Sequence, residues 1–91
     1  MKSDSDKLIA KHEQLIHSEG LTVYSHTQRD DGEWIQHSLM IDGYNVPFKF
    51  KRKSKYKSLT GAKVNMTYYV DTIVVAGLEF EIMKVVRIKR Y

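Results

Sequence analysis

Trp34-Ile35-Gln36-His37-Ser38-Leu39-Met40-Ile41-Asp42-Gly43-Tyr44-Asn45-Val46-Pro47-Phe48-Lys49-Phe50-Lys51 reads as two strands joined at an Asp-Gly turn. Asp-Gly between alternating apolar residues is a strong short-range hairpin signal, because both turn positions need positive φ. A two-residue loop at Asp42-Gly43 predicts that Ile41 faces Tyr44, Leu39 faces Val46, His37 faces Phe48 and Ile35 faces Phe50. All of these lie on one side, and only His37 among them is neither apolar nor aromatic. The other side carries Trp34, Gln36, Ser38 and Met40 against Lys51, Lys49, Pro47 and Asn45. A slip of one residue would destroy that segregation, since side chains alternate with a period of two. Pro47 has no N–H to give a ladder, so its strand is expected to be an edge or bulged there.

The same alternation extends outward. Residues 21–28 form a strand ahead of the hairpin, after which Arg29-Asp30-Asp31-Gly32-Glu33 supplies another Asp-Gly turn. Residues 62–70 place Val64, Met66, Tyr68 and Val70 on one side. Residues 78–88 do the same with Leu78, Phe80, Ile82, Val86 and Ile88, and Lys84 out of parity predicts a bulge near Met83-Lys84. Residues 71–77 are ambiguous between strand and turn, with Gly77 a turn candidate. In residues 5–19 the period changes. Leu8, Ile9, His12, Leu15 and Ile16 fall within an arc of about 120° of a helical wheel, with Ser3, Asp4 or Ser5 as N-cap and Gly20 at the stop.

The expected fold is therefore mainly β, of α+β class, in a single domain over residues 1–91. An N-terminal amphipathic helix (5–19) precedes a curled antiparallel meander of five to six strands, at about 21–28, 34–41, 44–51, 62–70 and 78–88. An OB-like or SH3-like small barrel is the leading architecture. A flatter curved sheet with the helix across it is the alternative.

Charge is unevenly distributed. Residues 1–46 hold four Lys/Arg against eight Asp/Glu, and residues 47–91 hold eleven against three. The basic half centres on Phe48-Lys49-Phe50-Lys51-Arg52-Lys53-Ser54-Lys55-Tyr56-Lys57 and on a basic loop at 52–61. In the hairpin register Phe48 and Phe50 point inward, while Lys49 and Lys51 point outward with Trp34. An exposed Trp beside lysines is a stacking platform with phosphate contacts, the arrangement that binds single strands. The candidate nucleic-acid-binding residues are thus Trp34, Lys49, Lys51, Lys53, Lys55, Tyr56 and Lys57. Lys84, Arg87, Lys89 and Arg90 form a second basic group, which strengthens the reading only where it shares a face with the first. The competing explanation is protection of an edge strand by lysine.

Other chemistry finds less support. The four histidines (His12, His17, His26 and His37) lie in the first 37 residues without close ligand spacing, and there is no Cys, so no metal or cofactor is expected. His26 and His37 come opposite each other for some loop lengths of the first hairpin. Acids are sparse after residue 42, and no nucleophile or phosphate-loop motif is present, so the chain is not expected to be an enzyme. The longest apolar run, Ile73 to Ala76, is too short to span a membrane, and residues 1–6 have no signal-peptide character. No membrane partner and a cytoplasmic location are expected. The alternative to a nucleic-acid module is a protein-interaction or oligomerisation domain in which acidic and basic halves pair between subunits.

The second half also resembles the small single-strand-DNA-binding proteins of filamentous phages. The similar parts are Tyr44-Asn45-Val46-Pro47-Phe48-Lys49, the loop to Gly61, the alternating Val64-Asn65-Met66-Thr67-Tyr68, and Phe80-Glu81-Ile82 to Arg87-Ile88-Lys89. The resemblance covers roughly half the chain, rests on hydrophobic pattern and implies an OB-type barrel. The N-terminal helix departs from that family, and no functional residue is carried over.

Overall fold

The computed structural model describes residues 15–91. Five strands follow in chain order: β1 Ile16–Asp31, β2 Trp34–Ile41, β3 Phe48–Arg52, β4 Lys63–Val75 and β5 Leu78–Arg90. They close into a ring in the order β1-β2-β3-β5-β4. Neighbours are antiparallel except β3 and β5, which run parallel where Phe48 meets Met83 and Lys49 meets Lys84. The sheet therefore closes rather than lying flat.

Closure depends on β1. Its first part pairs with β4 (Ile16 beside Tyr68), and its second part pairs with β2 (Gln28 beside His37). Between them the register breaks at Ser18–Leu21 and again at Val23–Ser25. Gly20 sits in the first break with φ +67, a conformation that a Cβ disfavours. Its N–H donates to Asn65 Oδ1 at 2.9 Å. An added Cβ would also meet the Tyr91 ring at 3.5 Å. A kinked strand of this kind lets one chain segment serve two partners, which closes a small ring without a sixth strand.

The interior is filled by Val23, Leu39, Ile41, Phe48, Phe50, Leu59, Val64, Met66, Tyr68 and Val85. Tyr44, Phe48 and Tyr68 pack edge to face. Tyr68, raised above its ordinary pKa mainly by burial, exchanges a 2.9 Å hydrogen bond with Ser18. In β2 and β3 the faces assigned from parity hold, with Phe48 and Phe50 buried and Lys51 exposed; elsewhere Val70, Leu78 and Phe80 are exposed, and in β5 Val85 is buried while Val86 is exposed.

Several boundaries move. The helix expected over 5–19 falls largely outside the described residues, and residues 16–19 of it belong to β1. The open edge of β4 accepts them as a strand, and that pairing outweighs the local helical period. The strand expected over 44–51 begins only at Phe48. Tyr44 N–H donates to the Ile41 carbonyl at 3.1 Å, so the turn forms at Asp42-Gly43. The chain then runs unpaired to Pro47, and His37 faces Phe50 while Leu39 faces Phe48. The observed register differs from the expected one by two residues, which leaves every side chain on its predicted face. The expected bulge in β5 lies two residues further on, at Val86, between the Tyr68–Val85 and Thr67–Arg87 pairs.

Residues 71–77 resolve as strand plus turn. Ala76 and Gly77 (φ 53 and 80) make the two-residue connection, and β4 and β5 run beyond the body of the sheet as a long hairpin arm. Among the described residues, no helix is long and apolar enough to cross a membrane.

Candidate nucleic-acid interface

The outer face of β2 and β3 carries the predicted residues, with one change of neighbour. Gln36 lies opposite Lys51 and Ser38 opposite Lys49, so the two-residue offset brings Lys53 rather than Lys51 to Trp34. The Trp34 side chain is 41% exposed, and Lys53 Nζ lies 4.8 Å from its ring centroid. A cation over an exposed indole contributes about 0.5–1 kcal/mol.

Beside this pair is a cleft of about 720 Å³ where the β4–β5 arm overhangs the sheet. Its cations are Arg29 from β1, Lys49 and Lys51 from β3, and Lys84 from β5. Ile73 and Val75 from the arm, with Ile82, provide its apolar side. No acidic residue lines it among the described residues. Asp31 approaches only through Gln36, whose Nε2 donates to its carboxylate at 2.8 Å.

The second basic group divides among three places. Lys84 adjoins Lys49 across the parallel β3–β5 contact and joins the first group in the cleft. Lys89 and Arg90 meet Lys57 around a smaller cavity of about 260 Å³ floored by Tyr56, Leu59, Val64 and Ile88. Arg87 lines another cavity with His17, Glu19 and Thr67, away from the cleft, and Lys89 borders that cavity too.

Lys53, Lys55 and Lys57 are exposed on the β3–β4 loop. Lys55 Nζ is 4.0 Å from Asp30 on the surface, a pair worth little in water. Tyr56 does not stand free as a stacker. Its backbone is held twice by Gln28, with N–H to Oε1 and Nε2 to the carbonyl both at 2.8 Å. Its ring packs on His37 with centroids 4.7 Å apart, half-buried in the end of the ring of strands. Trp34 is thus the exposed aromatic of the predicted set.

His26 and His37 do pair, diagonally rather than directly across. Nε2 of His26 is 3.0 Å from Nδ1 of His37. His37 also stacks on Phe50 at 4.6 Å, with planes only 4° apart. Burial lowers the pKa of both imidazoles below 6.5. For His26 the neighbouring His37 adds to the effect. For His37 the Ser54 carbonyl opposes it and Arg52 reinforces it. Among the described residues no cluster of three ligand-type side chains forms around them.

Arg29, Gln36 and the arm residues Ile73 and Val75 were not among the sequence candidates. Arg29 was legible, since it shares parity with Thr27 on the outer side of β1. The arm residues were not, because only the bend of β4 and β5 over the sheet brings them near the lysines.

Comparison of the chain with protein-family models, with curated proteins and with solved structures returns no match in any of the three.

Proposed function

We propose that the chain is a non-catalytic module that binds single-stranded nucleic acid, DNA or RNA, along the outer face of β2 and β3. The observation that carries this reading is an exposed Trp34 in contact with Lys53, on the same outer face of β2 and β3 whose Lys49 and Lys51, with Lys84, line a cleft free of carboxylates. An indole face stacks on a base whose own face is uncovered, which favours a single strand over a paired duplex. Lysines on flexible stems follow phosphates without reading base edges, so affinity is expected to depend weakly on sequence.

The architecture supports the reading. Five strands in the order β1-β2-β3-β5-β4, with β3 meeting β5 in parallel, suit an OB-type barrel. Barrels of that type use the face of strands two and three, with the loops after strands one and four, for oligonucleotides. Here those loops are Gly32-Glu33 and Ala76-Gly77, at the ends of the strands that flank the cleft.

The test is a titration of Trp34 fluorescence with an oligothymidylate at several salt concentrations. Binding should quench the indole. If Lys49, Lys51, Lys53, Lys55, Lys57 and Lys84 all contact phosphates, the log–log salt slope should be about −4, at roughly 0.7 per contact. No quenching and no binding at low salt would reject the proposal.

A second reading rests on the arm. Val74, Val75, Leu78 and Phe80 are exposed there, Val74 by 67% and Leu78 by 62%. Val75, Leu78 and Phe80 share one face of the projecting hairpin, with Val74 on the other, and exposed apolar side chains of this kind suit burial against a second copy of this chain. Association of this origin would be insensitive to salt, whereas pairing of acidic and basic halves would weaken with it. Mass in solution at low and high salt separates the two, and a monomer throughout removes this reading.

A further inference from the structure

The histidine pair is the middle of a longer relay whose proton positions follow from geometry. Leu59 N–H lies 3.0 Å from His26 Nδ1, and an amide can only donate. Nδ1 of His26 is therefore bare, and its neutral ring carries hydrogen on Nε2. That hydrogen points to His37 Nδ1 at 3.0 Å, so Nδ1 of His37 is bare as well. Neutral His37 then carries hydrogen on Nε2, 3.4 Å from the Ser54 carbonyl. One tautomer set satisfies all three links.

The relay ties the β3–β4 loop to β1 and β2 at both of its ends, Ser54 and Leu59. Between those points lie Lys55 and Lys57, and Lys53 precedes them. A proton added at His26 Nδ1 would face the Leu59 amide hydrogen. One added at His37 Nδ1 would face the His26 Nε2 hydrogen. Either breaks a link, and at His37, which is 1% exposed, water cannot compensate. Around the pair, β3 presents Arg52, which opposes further positive charge, and the loop presents the Tyr56 ring. On β1, Gln28 is committed to Tyr56, and the carboxylate of Asp30 is turned to Lys55.

We propose that His26 and His37 are positioning residues for the nucleic-acid interface. While neutral they fasten the lysine loop at Ser54 and Leu59, and protonation loosens those two anchors while Gln28 still holds Tyr56 between them. This rests on the proposed nucleic-acid reading. His37 and Phe50 also border the cleft, but the His37 ring is stacked on Phe50 and only 1% of the residue is exposed, so the new charge would not be open to a phosphate. Release therefore removes contacts rather than adding them. The lowered imidazole pKa values place the transition below pH 6.5.

The first measurement uses the wild-type protein without ligand. Long-range nitrogen–proton NMR at pH 7.5 should find both rings protonated at Nε2. Hydrogen exchange, corrected for the intrinsic rate at each pH, should show Leu59 protection falling at least about tenfold through the imidazole midpoint, while the Met66 amide stays protected. An Nδ1-protonated ring, or loss of Leu59 and Met66 protection together, overturns the relay. His26→Gln with His37→Asn keeps one donor–acceptor contact that does not titrate, and loop protection should then be independent of pH.

The second measurement is the salt slope for an oligothymidylate above and below that midpoint. Loosening of the Ser54 and Leu59 anchors should reduce its magnitude, by about 2 where Lys53, Lys55 and Lys57 all lose their phosphates. An unchanged slope with a released loop overturns the positioning role. Absence of binding at every pH, with the loop released as expected, overturns the interface reading and not the relay.

Discussion

Trp34, Phe50 and His37 lie within two strands and answer to different physics. Trp34 was read as outward from parity alone, and its exposure follows from the same alternation that buries Phe48 and Phe50. Trp34→Ala should weaken oligonucleotide binding by about 1–3 kcal/mol, the worth of one stacked base. Chemical denaturation should move little, because the ring is already half in water. Phe50→Ala should act oppositely. It empties a fully buried site and should destabilise by about 3–5 kcal/mol in urea unfolding. His37 adds a pH dependence. Both histidines have folded pKa values below the unfolded value near 6.5, so the unfolded state binds more protons in mild acid. Their contribution is complete above about pH 6.5 and is lost as pH falls through the lowered folded values. The urea midpoint should drop between pH 7.5 and pH 5, and His37→Asn should flatten that part of the profile. The parity of His37 was legible in the sequence. Its hydrogen bond to Ser54, and that of its partner His26 to Leu59, were not, because the loop path that brings those groups there is non-local.

At the scale of elements, β1 and the β4–β5 arm depart furthest from the sequence reading. Ile16 satisfies a helical stripe and a strand equally well, and the unpaired edge of β4 decides in favour of strand. Gly20 makes that pairing compatible with β2 on the other side. Gly20→Val should cost about 1–2 kcal/mol from left-handed backbone alone, before its contact with Tyr91 is counted. Urea unfolding measures this, with Gly32→Val as a comparison at a turn where nothing lies within 4 Å of an added Cβ. In the arm, the apolar run Ile73 to Ala76 and the alternation from Leu78 were visible, but whether residues 71–77 continued the strand was not. The Ala76-Gly77 turn joins two strands that pair along 12 positions, more than a local signal can specify. If the arm associates with a second copy, Phe80→Asp should yield a monomer by sedimentation without altering the thermal midpoint, since the ring is already exposed.

For the whole molecule, the question is which charges share a surface. Lys49 and Lys84 are 35 residues apart in the chain and become neighbours at the parallel β3–β5 contact. Lys84→Gln should therefore lower the magnitude of the salt slope for single-stranded DNA by about 0.7, one phosphate contact. Arg87→Gln, which removes a cation of equal charge from another cavity, should leave it unchanged. Equal effects of the two would mean that net charge rather than this cleft drives binding. By itself the sequence determined the two-residue period, and with it which side chains enter the interior and which lysines stand outside with Trp34. Parity survives a shift of two, so those assignments held in β2 and β3 although their partners changed, whereas in β5 the bulge at Val86 turns Val85 inward and Val86 outward. The tertiary structure alone decided the offset itself, the closure through β1, the division of Lys84, Arg87, Lys89 and Arg90 among separate surfaces, and the relay from Leu59 to Ser54. Each of these depends on contacts between segments far apart in the chain, and such contacts are set by how the ring closes rather than by any local run of residues.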